Sequence, residues 1–328
     1  MREQPEKQGL LKNFLPIVAV FLFCFLFMEI CTRIYLHYHL VYDVEMSRYA
    51  MTLKRNSPDW YVGHVHKPNA KAKLMGVWVR TNSDGFRGPE CPVARSAKKR
   101  ILFLGDSLTF GWGVEEQDTF KDLLESKLNA IAPAEIINTA AGNYNVEQET
   151  HLFLDKGLKY HPDKVVLFYC IRDAEPTQHR SKFWFLGYSE LITLYWSRFH
   201  IIMVNLDPAK NYRPYYTSLY TEGQPGWLAV RKAFLLLRNT CRKNGIALQV
   251  VLLPELHQLV NYPFVKENRM IMDFLKANGI DALDLATFFT NYTTPMDLWV
   301  ATDDAHPNKK ANRLFAQYVF DFIKKDLF

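Results

Sequence analysis

Ile101-Leu102-Phe103-Leu104-Gly105-Asp106-Ser107-Leu108-Thr109-Phe110-Gly111-Trp112-Gly113-Val114 decides the reading of this chain. A short apolar run broken at once by Gly-Asp-Ser reads as a buried strand that ends on a turn and presents a serine. A serine hydroxyl is a weak nucleophile, so it needs a histidine to take its proton and an acid to orient that histidine. Both are available near the other end, in Asp303-Asp304-Ala305-His306-Pro307. The Asp-x-x-His spacing places Asp303 and His306 on one short loop, and Pro307 suits the first turn of a following helix. Ser107, Asp303 and His306 are therefore the expected catalytic residues. The turn is not a Gly-x-Ser-x-Gly elbow, because Asp106 precedes the serine and Leu108 follows it.

The wording from Gly105 to Val114 resembles the first sequence block of the SGNH hydrolase superfamily, the GDSL esterases, and the resemblance extends from about Lys99 to the C-terminus. It implies Ser107 as nucleophile, His306 as base and Asp303 as the orienting acid. Asn138-Thr139-Ala140-Ala141-Gly142-Asn143-Tyr144-Asn145 is similar to the second block, whose glycine N–H helps bind the oxyanion; that role would fall to Gly142, beside the N–H of Ser107. The third block departs from the family. Where Gly-x-Asn-Asp is expected, the chain reads Cys170-Ile171-Arg172-Asp173, so Arg172 stands at the position of the last oxyanion donor. Arginine can donate to an oxyanion, but it is longer than asparagine and always charged. Losing one such donor costs about 2.7–4 kcal/mol of transition-state stabilisation. Three roles stay open for Arg172: oxyanion donor, reader of an acidic substrate group, or a residue turned aside to pair with Asp173 or Glu175.

Around these blocks, strand-like segments at 101–105, 135–139, 164–170, 247–254 and 280–284 alternate with helical ones near 118–130, 146–158, 226–244, 265–277 and 308–325. The pattern predicts a flavodoxin-like α/β/α fold of three layers on a mainly parallel five-stranded sheet, occupying residues 99–328. Ligands in such sheets bind beyond the carboxyl ends of the strands, and Ser107, Gly142 and Arg172 each follow a strand segment. Residues 177–225 interrupt the alternation with an aromatic, apolar stretch that includes Phe183-Trp184-Phe185, Tyr195-Trp196 and Ile201-Ile202-Met203-Val204. It reads either as a lid or membrane-facing surface, or as a helical pair packed on the core.

Ahead of the first strand, Phe14 to Met28 is uninterruptedly apolar and is flanked by Lys12 and Arg33. Residues 14–33 are expected to form one transmembrane signal anchor after a short tail, 1–13. No small-x-small cleavage site follows the apolar run, which favours retention over cleavage. Arg2, Lys7 and Lys12 before the span place the N-terminus in the cytoplasm and the catalytic domain on the periplasmic or extracellular side. Glu29 and Arg33, spaced i,i+4, form an ion-pair-ready couple expected to snorkel to the headgroups. Residues 34–98 are rich in turn formers and read as a connector or small cap. Its wording resembles membrane-anchored members of the same superfamily from bacterial envelope-polysaccharide settings.

The five cysteines form no Cys-x-x-Cys pair and no disulfide framework. His64 and His66 lack further ligands at useful spacing and read as surface or packing residues, so neither a metal nor a cofactor is expected. The net charge of +6 is spread along the chain, and the Arg95–Arg100 cluster reads as a solvated linker rather than a nucleic-acid site. The expected activity is serine-dependent removal of acyl groups, acetyl foremost, from an acylated glycan or small ester. Transfer of the acyl group to a polysaccharide beside a membrane-bound O-acyltransferase is the alternative. A third reading is an inactive scaffold subunit, for which Arg172 is the direct hint.

Overall fold

The computed structural model describes residues 5–177, 179, 184–325 and 327. Helix α1 (Pro5–Tyr38) carries an apolar stretch, Phe14–Tyr38, that is long and apolar enough to cross a membrane. Helix α2 (Tyr42–Thr52) follows almost at once. Then come two small antiparallel ribbons, β1 (Lys54–Asn56) with β2 (His64–His66) and β3 (Lys71–Leu74) with β4 (Val77–Arg80). The connector is thus more than turns. Tyr49 of α2, Leu53 just after it, and Leu74, Met75 and Val79 of the second ribbon pack with Phe110 and Trp112 at the end of the serine turn. The sequence gives α2 little helical pattern, and its buried positions Val44, Glu45 and Tyr49 include a carboxylate, which hides the apolar face.

The main sheet consists of β5 (Lys99–Leu104), β6 (Ala134–Asn138), β7 (Lys164–Tyr169), β8 (Ala247–Leu252) and β9 (Asp281–Asp284). All five are parallel in the order β6-β5-β7-β8-β9. Numbered among themselves, that is the flavodoxin-like order 2-1-3-4-5, with its switch point between β5 and β7. Side chains of a strand alternate faces, and β5 shows it. Ile101 and Phe103 pack with α4 (Phe120–Asn129) and α10 (Lys309–Lys324) on one face. Leu102 and Leu104 pack with α5 (Val146–Leu152), α8 (Pro225–Lys243) and α9 (Val265–Ala277) on the other. Each such buried side chain contributes about 1.5–3 kcal/mol. The three-layer expectation holds, and the predicted strands and helices match these within a few residues.

Several short elements complete the site side of the sheet. The single helical turn α3 (Ser107–Phe110) follows β5, and the ribbon of β10 (Trp299–Ala301) with β11 (Asp304–Pro307) precedes α10. Pro307 ends β11 rather than opening the helix, and Asn308 caps α10 by accepting from the N–H groups of Lys310 and Ala311. The insertion folds as α6 (Glu190–Asn205) and α7 (Tyr212–Leu219), with α8 beginning at its end. Phe183 lies outside the described residues.

Candidate active site

The serine turn is fixed by close packing. A Cβ on Gly105 would lie 2.2 Å from Thr109 Oγ1, so only glycine lets the turn close over that side chain. Asp106 caps α3, its Oδ1 accepting from Leu108 N at 2.8 Å. Ser107 occupies the first position of the turn, where its N–H has no carbonyl one turn back to pair with. Its hydroxyl lies 2.7 Å from His306 Nε2, and both residues are buried. His306 Nδ1 lies 2.5 Å from Asp304 Oδ1. A carboxylate only accepts, so Nδ1 carries the ring proton and Nε2 is free to take the serine proton. Asp304 Oδ2 accepts from Trp112 Nε1 at 2.8 Å. Burial alone would raise the Asp304 carboxyl, but its hydrogen bond and charge contact with His306 outweigh burial and hold it below the usual carboxylate range.

The orienting carboxylate is therefore Asp304, not the Asp303 expected from the sequence. The difference is one of periodicity. In a loop, i,i+3 residues can meet, but β11 starts at Asp304, and in a strand it is i and i+2 that share a face. Asp304 and His306 are accordingly both buried while Asp303 is exposed on the turn. Asp303 instead accepts from the backbone N–H of Tyr42 at 3.3 Å.

Gly142 also departs from expectation. Its N–H donates to Tyr49 Oη at 2.8 Å, and a Cβ there would lie 2.7 Å from the Tyr49 ring. The direction of this chain of bonds is determined. His66 Nδ1 faces the carbonyl of Gly85 at 3.0 Å and must donate to it, so His66 Nε2 accepts from Tyr49 Oη at 2.6 Å. The tyrosine oxygen is then left to accept from Gly142. Burial, then the charge of Lys54, pushes His66 down to about 3, which keeps it neutral in this role. The Gly142 N–H is thus spent on α2, a partner far away in sequence.

Arg172 follows β7 across the switch point from Ser107. Its Nη2 donates to Asp106 Oδ2 at 3.1 Å, so neither expected partner, Asp173 or Glu175, takes the ion pair. Arg172 borders two recesses. One, of about 150 Å³, is lined by His306, Asp304, Tyr42 and Tyr212; the other, of about 40 Å³, holds Ser107, Asn143 and Asn145. Tyr42 covers His306, with ring centroids 5.6 Å apart. Tyr42, Trp112, Asn143 and Asp304 escaped the sequence reading. Trp112 and Asn143 lie inside the quoted blocks, whereas nothing local marks Tyr42.

Beneath Arg172 lies a buried acidic group. Asp106, Cys170 and Asp173 bring ligand-type atoms within 4.8 Å of one another. The Cys170 thiol faces both carboxylates, at 3.4 and 3.1 Å, and Arg172 already supplies a positive charge, so these donors are engaged. Burial and then Asp106 raise the Asp173 carboxyl well above its usual range. Glu149 is 1% exposed, and neither of its oxygens has a hydrogen-bond partner among the described residues. Burial, then the charge of the neighbouring Asp173, pushes its carboxyl well above the usual range.

Residues 103–314 match the GDSL-like lipase/acylhydrolase family. Among solved structures, the chain is similar to a lipase/acylhydrolase from Enterococcus faecalis at 14% identity and a TM-score of 0.46, covering 70% of this chain and 97% of that one. It is also similar to an acetyl xylan esterase, AlAXEase, at 17% identity and a TM-score of 0.44, covering 68% and 99%. A psychrotrophic esterase from Pseudoalteromonas sp. is similar at 16% identity and a TM-score of 0.42, covering 70% and 98%. No curated protein matches the chain.

Proposed function

Because the chain belongs to the GDSL-like lipase/acylhydrolase family, we propose that it is a membrane-anchored serine esterase that removes acyl groups, acetyl foremost, from an envelope or extracellular glycan. The observation that carries this reading is the continuous line from Ser107 Oγ through both nitrogens of His306 to Asp304, at 2.7 and 2.5 Å. Ser107 Oγ attacks the ester carbonyl while its proton passes to His306 Nε2. The Asp304 carboxylate stabilises the imidazolium so formed. When the tetrahedral species collapses, the carbon–oxygen bond to the sugar breaks and His306 returns the proton to the leaving alcohol. Water then repeats the sequence on the acyl-serine and releases the acid.

The oxyanion is held by the Ser107 N–H and the Arg172 guanidinium, with the Asn143 carboxamide facing the same small recess. Arg172 thereby takes over from the family asparagine, and its pairing with Asp106 holds it at the switch point. The narrow recess beside Ser107 suits a short acyl chain. Helix α1 serves as the uncleaved anchor, with the catalytic domain outside the cytoplasm.

O-acyl transfer is the second reading, and one observation favours it. Asn143 also borders a separate cavity of about 390 Å³, whose walls include Lys54, His64 and Trp184, where an acceptor sugar could wait beside the acyl-serine. Full-length protein in detergent, assayed on p-nitrophenyl acetate with and without a xylo- or hexo-oligosaccharide, tests both. Hydrolysis that vanishes in Ser107→Ala supports the esterase, acetylated oligosaccharide as main product supports transfer, and hydrolysis unchanged by Ser107→Ala refutes both.

A further inference from the structure

Helix α6 is attached to α1 by a carboxylate set within the apolar stretch. Glu29 accepts from Ser189 Oγ at 2.7 Å, from Glu190 N at 3.0 Å and from Leu191 N at 3.0 Å. These are unpaired first-turn donors of α6 and its capping serine, where a negative charge also meets the positive end of the helix dipole. Arg33, one turn along α1, donates to Glu29 and to the carbonyl of Tyr188, both at 2.7 Å. Arg48 of α2 joins Glu190 at 2.7 Å. The Glu29–Arg33 couple therefore does more than snorkel: it clamps a second helix. One turn further, Leu194 packs against Leu36, Val41 and Val44.

Beyond that clamp, α6 is apolar and uncovered. Tyr195, Trp196, Phe199, Ile202, Met203 and Leu206, at its end, are 67, 66, 53, 58, 48 and 72% exposed. A helix apolar around most of its circumference belongs in an apolar medium, and a patch of this extent is not what a water-facing surface carries. Sixteen residues give about 24 Å of helix, short of the ~30 Å hydrocarbon core, so α6 does not span. Tryptophan and tyrosine side chains favour the membrane–water boundary. The patch is also continuous with an apolar neighbour, because α6 starts on the very helix whose Phe14–Tyr38 stretch can cross a bilayer.

We propose that α6 is a second membrane-contact element, lying in the interface of the bilayer that α1 crosses and holding the catalytic recess at the lipid surface. This rests on the reading of α1 as a membrane anchor. Both elements run directly into the recess. Tyr42, just after α1, packs its ring against His306 and donates its backbone N–H to Asp303, while the segment after α6 leads into Tyr212 on the opposite wall. The substrate class that fits is an ester presented at the membrane, as on a lipid-linked or nascent glycan. Because α6 carries only Glu190, Arg198 and His200 among its titratable groups besides Tyr195, its seating should not require anionic lipid.

The test uses full-length protein in phosphatidylcholine nanodiscs, with the exposed Cys24 and Cys31 and the partly exposed Cys91 replaced by serine. Phe21→Cys on α1, Phe199→Cys on α6 and Ile131→Cys, in the exposed turn before the edge strand β6, each carry an environment-sensitive fluorophore. Labels at 21 and 199 should lose fluorescence to brominated lipid and resist iodide, and the label at 131 should do the reverse. A label at 199 open to iodide while 21 is lipid-quenched overturns the proposal and leaves the anchor standing. A label at 21 open to iodide overturns the anchor itself. Protection at 199 without lipid quenching points to a protein partner and also overturns the proposal. As a functional arm, Trp196→Ser with Phe199→Ser should leave p-nitrophenyl acetate hydrolysis unchanged and lower turnover of an ester embedded in vesicles. Turnover of the vesicle ester equal in the variant and the parent would contradict placement of the recess at the membrane.

Discussion

The two walls of this site differ in origin. One comes from the ends of β5 and β7 in the parallel sheet, which deliver Ser107 and Arg172, and from the β10–β11 ribbon, which delivers the Asp304–His306 pair. The other comes from α2 and its ribbons, which contribute Tyr42 over the imidazole and Tyr49 behind Gly142. The first wall carries the chemistry. The second determines which of the first wall's donors remain available, because the hydroxyl of Tyr49 takes the glycine N–H that would otherwise face an oxyanion. In the mechanism proposed above, oxyanion binding falls to Ser107 N–H and Arg172, and a charged side chain replaces the family asparagine.

The largest effects should come from the strand-end wall. Ser107→Ala and His306→Ala should each lower kcat about as much as removing both, by up to ~10⁶-fold, since members of such a triad act as a unit. Asp304→Asn should cost about 10⁴-fold by favouring the wrong imidazole tautomer, whereas Asp303→Asn should stay within about threefold. Steady-state kinetics on a small acetyl ester decides between the two aspartates, and a larger loss at Asp303 would reverse the assignment. Next comes Arg172→Ala, which on the proposed mechanism removes an oxyanion donor and should reduce kcat about 10²–10³-fold with little change in KM. A rise in KM confined to acidic sugars would make Arg172 a reader of substrate charge instead.

On the α2 wall, effects should fall on stability. Tyr49→Phe leaves the Gly142 N–H and His66 Nε2 unpaired, which costs about 1–3 kcal/mol by urea denaturation. Hydrolysis should stay within about threefold of the parent. A clear rise in kcat would mean that the freed glycine N–H reaches the oxyanion after all.

The effect that is smallest at acidic pH concerns Glu149, buried on α5. Its carboxyl is raised in the folded state, so the unfolded chain releases its proton first as pH increases. The stability it contributes is present below the unfolded value and is lost as pH climbs toward the folded one. Glu149→Gln should therefore gain on the parent as pH rises above about 4.5, by at most ~1.4 kcal/mol per unit. A stability difference independent of pH between 5 and 8 would show that Glu149 is ionised in place.

What was legible in the sequence follows the same division. Ser107 and Arg172 follow strands whose apolar runs are unambiguous, so their convergence could be derived without coordinates, and His306 was marked by the acidic residues just before it in Asp303-Asp304-Ala305-His306-Pro307. Asp304 could not be separated from Asp303, because a ribbon as short as β10–β11 leaves no periodic trace and the choice turns on one residue of register. Gly142 was located, but its partner Tyr49 comes from a helix whose buried face includes Glu45, and no local pattern ties the two. The aromatic insertion was visible as composition. Its attachment to Glu29 was not, since the donors are backbone N–H groups that any residue could supply.

The central claim is that Ser107 is a nucleophile activated by His306. The most direct measurement treats the full-length protein with a serine-directed fluorophosphonate and maps the adduct by mass spectrometry, in parallel with His306→Ala. One phosphonylated residue, Ser107, is expected, with labelling strongly slowed in the variant. A folded protein that leaves Ser107 unmodified, or that labels equally fast without His306, would contradict it.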